Sequence, residues 1–240
     1  MSIGECTTKN THQIAANILF SHLKNGRVLD IPSGEGAFAK RCKERGLDII
    51  AGDVENICKV PGIEFAQVDM SKTLSFTDAS FDAVVSLDGI EHIERQFDFI
   101  RECNRITRRG GQLIVSTPNI SSLRSRWRWF LTGFHNKCKV PLDETNPNPW
   151  HHISMISLPE LRYVLHTNGY LIHTITTNRI KPVSWLYALF IPLAFFSTLR
   201  VFHEEEKDKG QRKRNREIFR QLFTRDVLFG ETLIVAATKL

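Results

Sequence analysis

Apolar and polar positions alternate along the first half of the chain with two periods, one typical of helices and one typical of buried strands. The spacing of Ile14, Ile18 and Leu23 predicts an opening helix over residues 11–23, ended by Gly26. Short apolar runs predict strands at residues 27–31, 48–52, 64–68, 81–87 and 112–117, with helices over 37–45 and 97–106 between them. Strands that alternate with helices favour right-handed crossovers and a mainly parallel sheet.

The second half of the chain begins with a break in this pattern. Residues 120–152 are rich in Arg, Trp, Asn and Pro, and we interpret them as a lid or loop on the substrate side. The capping box at 157–160 then predicts a helix that ends at Gly169, followed by a strand at 170–177. A last strand is predicted at 232–237.

The seven predicted strands indicate an α/β fold of one domain over residues 1–240. We expect a Rossmann-like, doubly wound, mainly parallel seven-stranded sheet with helices on both faces. Residues 179–229 lie between the last two strands, and their apolar and basic composition predicts a helical insertion before the final strand.

Composition narrows the compartment and the partners. With 240 residues, of which 42% are hydrophobic and 24% charged, the chain can bury one sizeable core. Its five cysteines are odd in number and contain no Cys-x-x-Cys pair, which argues against a disulfide framework or a zinc ribbon. Residues 1–10 are polar and lack the pattern of a secretory signal, so we expect a cytoplasmic protein. The net charge of +6 favours an anionic partner, either nucleic acid or a membrane surface.

A glycine turn after the first strand carries the strongest chemical signal. Its spacing is Asp30-x-x-x-Gly34-x-Gly36, which presents backbone N–H groups and a helix amino terminus to a ligand. Gly34-x-Gly36-x-x-Ala39 also satisfies the dinucleotide fingerprint, so an NAD-dependent oxidoreductase is an alternative. Asp30, however, would repel a diphosphate and attract a cationic ligand such as a sulfonium.

The surrounding residues resemble the successive motifs of class I S-adenosylmethionine-dependent methyltransferases. The motifs are Val-Leu-Asp-Ile-Pro-Ser-Gly-Glu-Gly at 28–36, Gly-Asp at 52–53, Val-Asp-Met at 68–70 and Phe-Asp-Ala-Val-Val-Ser at 81–86. The resemblance implies that Asp30 and the glycine backbone hold the methionine part, Asp53 the ribose and Asp69 with the Met70 backbone the adenine. Pro32 replaces the first glycine common in the family. The predicted cofactor-binding set is Asp30, Pro32, Gly34, Gly36, Asp53, Asp69, Met70 and Leu87.

Candidate catalytic groups follow the fourth strand and end the 120–152 segment. An alcohol or phenol acceptor needs a base for its proton, and His92, His151 and His152 are the candidates. If Asp88 begins a helical turn, Glu91 and His92 share its face at i+3 and i+4, a spacing suited to a divalent cation such as Mg²⁺. Ubiquinone-biosynthesis O-methyltransferases and small-RNA 2'-O-methyltransferases carry a similar Glu-x-x-Glu-His with a metal. The alternative is a helix-capping acid and a pocket-lining histidine with no metal.

Two further segments suggest a partner surface. Arginines alternate with tryptophans at 124–129, which suits either base stacking or a lipid headgroup layer. Residues 183–199 are uncharged and apolar, with Pro192 in the middle, and the basic residues Lys207, Lys209, Arg212, Lys213, Arg214 and Arg216 follow. We interpret 183–216 as a surface for an anionic membrane, on the inner membrane face; a buried lid or dimer interface is the alternative.

Together these features predict an O-methyltransferase for a small or lipid-linked acceptor, such as a quinone precursor or a surface glycan. An RNA methyltransferase is the alternative that the net charge favours, and a cofactor-binding protein without catalysis is a third.

Overall fold

The computed structural model describes residues 3–138, 140–204 and 208–240 and contains one seven-stranded sheet. The strands are β1 (Arg27–Asp30), β2 (Asp48–Asp53), β3 (Glu64–Gln67), β4 (Phe81–Leu87), β5 (Thr107–Pro118), β6 (Tyr170–Thr177) and β7 (Thr232–Lys239). The α-helices are α1 (Thr11–His22), α2 (Ala37–Glu44), α3 (Gln96–Ile106), α4 (Leu123–Thr132), α5 (Leu158–Thr167), α6 (Ile191–Glu204), α7 (Lys209–Leu222) and α8 (Arg225–Phe229). Two 3₁₀ segments, Ile90–His92 and Pro182–Phe190, complete the described elements.

The sheet has the order β3-β2-β1-β4-β5-β7-β6. The first five strands of this order pair in parallel, and β7 runs antiparallel between β5 and β6. The predicted α/β fold with a mainly parallel seven-stranded sheet is therefore confirmed. Helices pack on both faces of the sheet, α3 and α5 on one and α1 and α2 on the other, so the central strands are apolar on both sides.

The order of the strands creates a crevice beside β1. From β1 the chain moves outward through β2 and β3, then returns to place β4 on the other side of β1. The connections after β1 and β4 therefore diverge, and the carboxyl ends of these two strands leave a gap between them. Ligands of doubly wound sheets bind at this switch point.

The core alternates between the two faces of the sheet. Val84 contributes to the cluster under α3 and α5, whereas its neighbours Ala83 and Val85 contribute to the cluster under α1 and α2. This alternation fixes the register, because a shift of one residue would exchange the two faces. The carboxyl ends of the strands are consequently held in rigid positions.

The structure corrects two expectations about local structure. Residues 120–152 are not irregular throughout, because α4 forms at Leu123–Thr132 with Ser122 as its amino-terminal cap and Gly133 at its end. Strand β5 begins at Thr107 rather than at residue 112, and its pairing with β4 skips four residues, from Phe81↔Thr107 to Ala83↔Gln112. The skipped residues bulge out of the sheet.

The segment between β6 and β7 is helical, as predicted. It consists of the 3₁₀ segment Pro182–Phe190 followed by α6, α7 and α8. Its two ends meet at the edge of the sheet, where Ile180 pairs with Gly230 and the Glu231 N–H donates to the Arg179 carbonyl at 3.1 Å. Lys207, part of the predicted basic cluster, lies outside the described residues.

Candidate functional site

A cavity of about 780 Å³ lies at the carboxyl ends of β1, β2 and β4. Seven of the eight predicted cofactor-binding residues contribute to its wall, including the buried Asp30. The wall residues from the predicted sites are Asp30, Pro32, Gly34, Asp53, Asp69, Met70, Leu87, Asp88, Glu91, His92 and His152. Both the predicted cofactor end and the predicted acceptor end therefore open into one cavity.

The glycine turn is held by the next strand. Gly34 has a φ of 50°, a left-handed conformation that favours glycine, and its N–H donates to Asp53 Oδ2 at 2.9 Å. Asp53 Oδ1 accepts from the Val54 N–H at 2.8 Å. These two hydrogen bonds fix Asp53 in the cavity wall. Each carboxylate oxygen has a second lone pair, so Asp53 can still accept hydrogen bonds from two hydroxyl groups.

Asp30 is more deeply buried than its place in the sequence suggests. Its side chain is 1% exposed, and Oδ2 accepts from the Ala39 N–H in the first turn of α2 at 3.1 Å. Burial raises the pKa of Asp30 well above its usual range, and the nearby Asp53 charge raises it further, against the lowering by the Ala39 hydrogen bond. A cationic ligand nearby would favour the ionised form, so the charge of the Asp30 carboxyl group depends on the ligand bound in the cavity.

The remaining cofactor-end residues differ in their placement. Asp69 accepts from the Ser71 N–H at 2.9 Å, and this hydrogen bond lowers its pKa, so it faces the cavity as a carboxylate. Met70 and Leu87 supply apolar wall. Gly36 is not part of the wall: its N–H donates to the Ser33 carbonyl at 2.9 Å, and a Cβ there would meet Cys58 Sγ at 2.6 Å. Gly36 therefore shapes the turn rather than the cavity.

Glu91, His92 and His152 come together at the other end. One ligand-capable atom of each lies within 4.8 Å of the others, and the two imidazole rings are 4.7 Å apart in an edge-to-face arrangement. His92 Nδ1 lies 3.0 Å from the His151 carbonyl oxygen. Because a carbonyl can only accept, Nδ1 carries the proton of the neutral ring and the lone pair is on Nε2.

The two histidines are neutral over a wide pH range. Burial lowers the pKa of His92, against the raising effects of the His151 carbonyl and the Asp88 charge. Burial and the nearby His92 and Lys137 lower the pKa of His152 to about 4. Neutral imidazoles can accept a proton or bind a metal.

Glu91 is a buried acid whose carboxylate oxygens have no partner of normal hydrogen-bond geometry among the described residues. Burial raises its pKa well above the usual range, and the Asp88 charge adds to this, while the nearby Thr117 hydroxyl lowers it. Burying an ionised carboxylate without a hydrogen-bond or charge partner costs free energy. Glu91 is therefore either protonated or paired with a bound cation.

The structure corrects the predicted metal-binding face and the choice of histidine. Asp88 has a φ of 48° and precedes the 3₁₀ segment, so it does not begin the helical turn that was to align it with Glu91 and His92. Its carboxylate accepts instead from Ser116 Oγ at 2.6 Å and the Thr8 N–H at 3.5 Å. His151 lies outside the cavity wall, with Nε2 2.9 Å from Asn148 Nδ2, whereas His152 lines the cavity.

Sequence reasoning missed the amino-terminal segment as part of the site. Thr7, Thr8, Lys9 and His12 line the cavity. Lys137 Nζ donates to Thr8 Oγ1 at 2.8 Å, and Asn178 Nδ2 donates to the Lys9 carbonyl at 3.0 Å, which ties this segment across the opening. Lys137 and Arg179 also reach the wall. No periodic signal marks these residues, because they act through backbone groups and single polar side chains.

Comparisons with known proteins agree with this geometry. Residues 29–115 match the family described as "Methyltransferase domain". The "Probable S-adenosylmethionine-dependent methyltransferase" of Mycobacterium tuberculosis is 34% identical over 114 residues, 45% of this chain and 41% of that protein. The demethylmenaquinone methyltransferase of Renibacterium salmoninarum is 32% identical over 114 residues, 44% of this chain and 48% of that protein. The chain thus matches less than half the length of these relatives.

A solved structure extends the likeness to the whole fold. The S-adenosylmethionine-dependent methyltransferase from Archaeoglobus fulgidus superposes with a TM-score of 0.57 over 95% of both chains, at 20% identity. The family match over residues 29–115, the curated relatives and the fold support a class I S-adenosylmethionine-dependent methyltransferase. The family predicted from the motifs is confirmed.

The described residues fit this cofactor. Three carboxyl groups, those of Asp30, Asp53 and Asp69, line one end of the cavity, and this donor set suits a ligand with an ammonium, a sulfonium, hydroxyls and an amine. The same three acids would oppose a diphosphate. The donor set therefore favours S-adenosylmethionine over a nicotinamide dinucleotide.

Proposed function

We propose that the protein transfers a methyl group from S-adenosylmethionine to a hydroxyl oxygen of a small acceptor bound in the same cavity. The observation that carries the proposal is that acids suited to the cofactor and two neutral histidines line one cavity. Its volume of about 780 Å³ lies in the upper part of the about 300–1,000 Å³ range of small-molecule sites, which leaves room for a cofactor and an acceptor.

The chain's own residues would bind the cofactor in one orientation. Asp53 would accept from the ribose hydroxyls, Asp69 and the Met70 backbone would bind the adenine, and Asp30 with the Gly34 backbone would face the methionine part. S-adenosylmethionine supplies an electrophilic methyl group on a positively charged sulfur. Because this displacement disperses charge, holding the acceptor oxygen in line with the methyl group supplies much of the rate.

His152 is proposed as the base, with His92 beside it. The new bond forms between the acceptor oxygen and the methyl carbon, the carbon–sulfur bond breaks with its electrons left on sulfur, and the hydroxyl proton moves to an imidazole nitrogen. Burial lowers the pKa of both rings and keeps them neutral, which leaves a nitrogen lone pair free for this proton. The His92 hydrogen bond to the His151 carbonyl holds the ring in place.

A quinone precursor or a lipid-linked glycan is the acceptor class that we propose. Ile93, Pro149 and Trp150 give the acceptor end an apolar wall, and the relative from Renibacterium is named for a quinone substrate. An RNA acceptor is less well supported, because Trp127 of the Arg-Trp stretch is stacked on Phe190 at 4.3 Å between ring centres and is not free to stack on a base.

The experiment first measures S-adenosylmethionine binding by calorimetry, then methyl transfer from methyl-labelled S-adenosylmethionine into fractionated lipid and small-molecule extracts. His152→Ala should lower the rate by about 100-fold or more, because it removes the base. His151→Ala is the matched control: its side chain lies outside the cavity and its carbonyl is retained, so the rate should stay near that of the wild type. Equal rates for the two variants, or no S-adenosylmethionine binding by the wild type, would contradict the proposal.

A bound divalent cation is a second candidate for the acceptor end. The unpartnered Glu91 carboxyl group beside His92 and His152 favours it. Two imidazoles and one carboxylate suit a transition metal better than the Mg²⁺ that the sequence suggested, because Mg²⁺ prefers oxygen ligands. Glu91→Gln tests this choice. If Glu91 is a protonated acid, Gln should replace it with little change in activity. If Glu91 is a metal ligand, the substitution should abolish activity and remove the metal that mass spectrometry measures.

A further inference from the structure

Many large apolar side chains of the insertion are exposed, and together they form an apolar surface. We define it as the exposed large apolar residues of Pro182–Glu204 together with those at the end of α4. The residues are Trp129, Phe130, Leu131, Val183, Trp185, Leu186, Leu189, Leu193, Phe195, Phe196, Leu199 and Val201. Leu186 and Leu189 are each 70% exposed, and Phe130 is 73% exposed. The stacking of Trp127 on Phe190 joins the two elements, so the end of α4 lies beside the insertion.

This surface is unusual in composition as well as in exposure. The helical stretch Pro182–Glu204 has 23 residues and a mean hydropathy of 1.6 in its most apolar window, of which no part is buried. It is the single described helix that is long and apolar enough to cross a bilayer. Water-exposed apolar patches of this kind mark sites that contact a partner or a membrane.

The adjacent helix α7 carries the opposite kind of residue. Its exposed cations are Lys209, Arg212, Lys213, Arg214, Arg216 and Arg220. Its single acid, Glu217, pairs with Arg162 of α5 at 3.1 Å. Phe219 of α7 packs edge-to-face on Phe195 of α6 at 5.0 Å, so the cationic helix lies directly beside the apolar surface. An apolar face bordered by cations matches a bilayer with anionic headgroups.

We infer that this apolar surface inserts into the headgroup and upper acyl region of an anionic phospholipid bilayer, with the α7 cations on the headgroups. The inference concerns binding alone and does not rest on the proposed methyl transfer. Tryptophans at the edge of the surface, Trp129 and Trp185, are the side chains that favour the boundary between acyl chains and water.

The topology excludes a membrane crossing. Pro182–Glu204 connects β6 to the helices that return to β7, and β6 and β7 are hydrogen-bonded neighbours from Tyr170↔Lys239 to Thr177↔Leu233. A single crossing would place these paired strands on opposite sides of the bilayer, which their pairing forbids. One face of the segment also packs on the protein, where Trp185 contacts Phe229 at 4.5 Å. The segment therefore lies in the interface.

This placement would bring the methyl-transfer cavity to the membrane. Arg179 lines the main cavity and Ser184 lines a smaller one of about 140 Å³, and the two cavities share Pro118 and Lys137. The apolar surface begins at Val183, next to this junction. If the proposed function holds, an acceptor with an apolar tail could reach the cavity from the lipid phase.

Vesicle flotation tests the inference with the full-length protein. The vesicles are phosphatidylcholine alone and phosphatidylcholine mixed with phosphatidylglycerol. The wild type should float with the anionic vesicles, and binding should fall with added salt because salt screens the α7 cations. The variant Leu186→Ser/Leu189→Ser/Phe196→Ser should bind more than about tenfold more weakly to them, since it removes exposed apolar side chains.

Two further variants separate the apolar and charge contributions. Lys213→Gln/Arg216→Gln should weaken binding to anionic vesicles by about fivefold per charge and leave neutral vesicles unaffected. Tyr163→Ser/Leu171→Ser/Leu240→Ser removes side chains of similar exposure outside the surface and should float like the wild type. Circular dichroism checks that each variant is folded, which we expect because the changed side chains are exposed.

Three results would overturn the inference. The wild type could stay at the bottom of the gradient with both vesicles, or the apolar variant could float as well as the wild type. Light scattering could also show a wild-type dimer that the apolar variant converts to a monomer, without vesicle binding by either. That last result would assign the surface to self-association.

Discussion

The segment that matches the methyltransferase family, residues 29–115, and the insertion before the last strand use their apolar residues in opposite ways. In residues 29–115, the large apolar side chains of β1 and β4 are buried, with Leu29 and Val84 both 0% exposed. In the insertion, Leu186, Leu189 and Leu193 are each more than two-thirds exposed. Hydropathy alone does not distinguish the buried strands from the exposed insertion. Apolar side chains therefore stabilise the fold in one region and remain on the surface in the other.

The same substitution at a buried and at an exposed leucine should have very different effects on stability. Leu29→Ala should lower the free energy of unfolding by about 3 kcal/mol or more, because it opens a cavity in the core. Leu189→Ala should change it by less than about 0.5 kcal/mol, since an exposed side chain leaves no cavity. Urea denaturation followed by circular dichroism measures both. A large loss for Leu189→Ala would show that the insertion is part of the core.

The second prediction tests cofactor binding by the matched segment, residues 29–115. Asp53→Ala should weaken S-adenosylmethionine binding by about 100-fold, because it removes a charged acceptor for two hydroxyl groups. Asp48→Ala is the matched control. Asp48 lies at the other end of β2, 68% exposed and 3.6 Å from Arg27, far from the cavity wall. Calorimetry that gives equal affinity for both variants would contradict the assignment of Asp53.

The third prediction concerns the amino-terminal segment, which lies outside the matched segment 29–115 but packs on it. His12 is 6% exposed and packs edge-to-face on Phe38 at 6.0 Å, and its burial lowers the pKa from 6.5 to about 4. Because the unfolded chain binds this proton more tightly, stability should fall as the pH drops from above 6.5 toward 4.

Between pH 7 and pH 5 the His12 contribution should be about 2 kcal/mol. The measurement is urea denaturation at both pH values for the wild type and for His12→Gln, which cannot titrate. The wild type should lose about that much more stability than the variant. Parallel losses for the two proteins would mean that His12 is not a buried neutral group.

Much of the fold follows from the sequence because the strands are short apolar runs between clear turn residues. The predicted strands at 81–87 and 170–177 have the observed bounds, and the capping box of α5 forms as predicted. Helix α4 was not predicted, because its apolar contact, Trp127 on Phe190, comes from a segment about sixty residues later. A pattern along the chain does not report such distant contacts.

The sequence predicts the candidate site where a motif fixes the backbone. It does not predict the site where a single backbone dihedral sets the direction of a side chain. The glycine turn, Asp53 and Asp69 line the cavity as the motifs imply. The positive φ of Asp88 removed it from the cluster that helical spacing assigned to it. Only the folded loop selects His152 over His151, because adjacent residues point in different directions.

The closure at the base of the insertion has an evolutionary consequence. The chain leaves the sheet after Thr177 and returns at Thr232, with Ile180 and Gly230 paired where the two ends meet. The entropy lost on closing such an excursion grows only logarithmically with its length, by about 0.6 kcal/mol for each doubling. Chains with this architecture can therefore lengthen, shorten or exchange the outer part of the excursion at small thermodynamic penalty, while the strand register beneath it stays the same. New acceptor preferences could then be acquired at one end of the enzyme while the chemistry of the donor end is inherited intact.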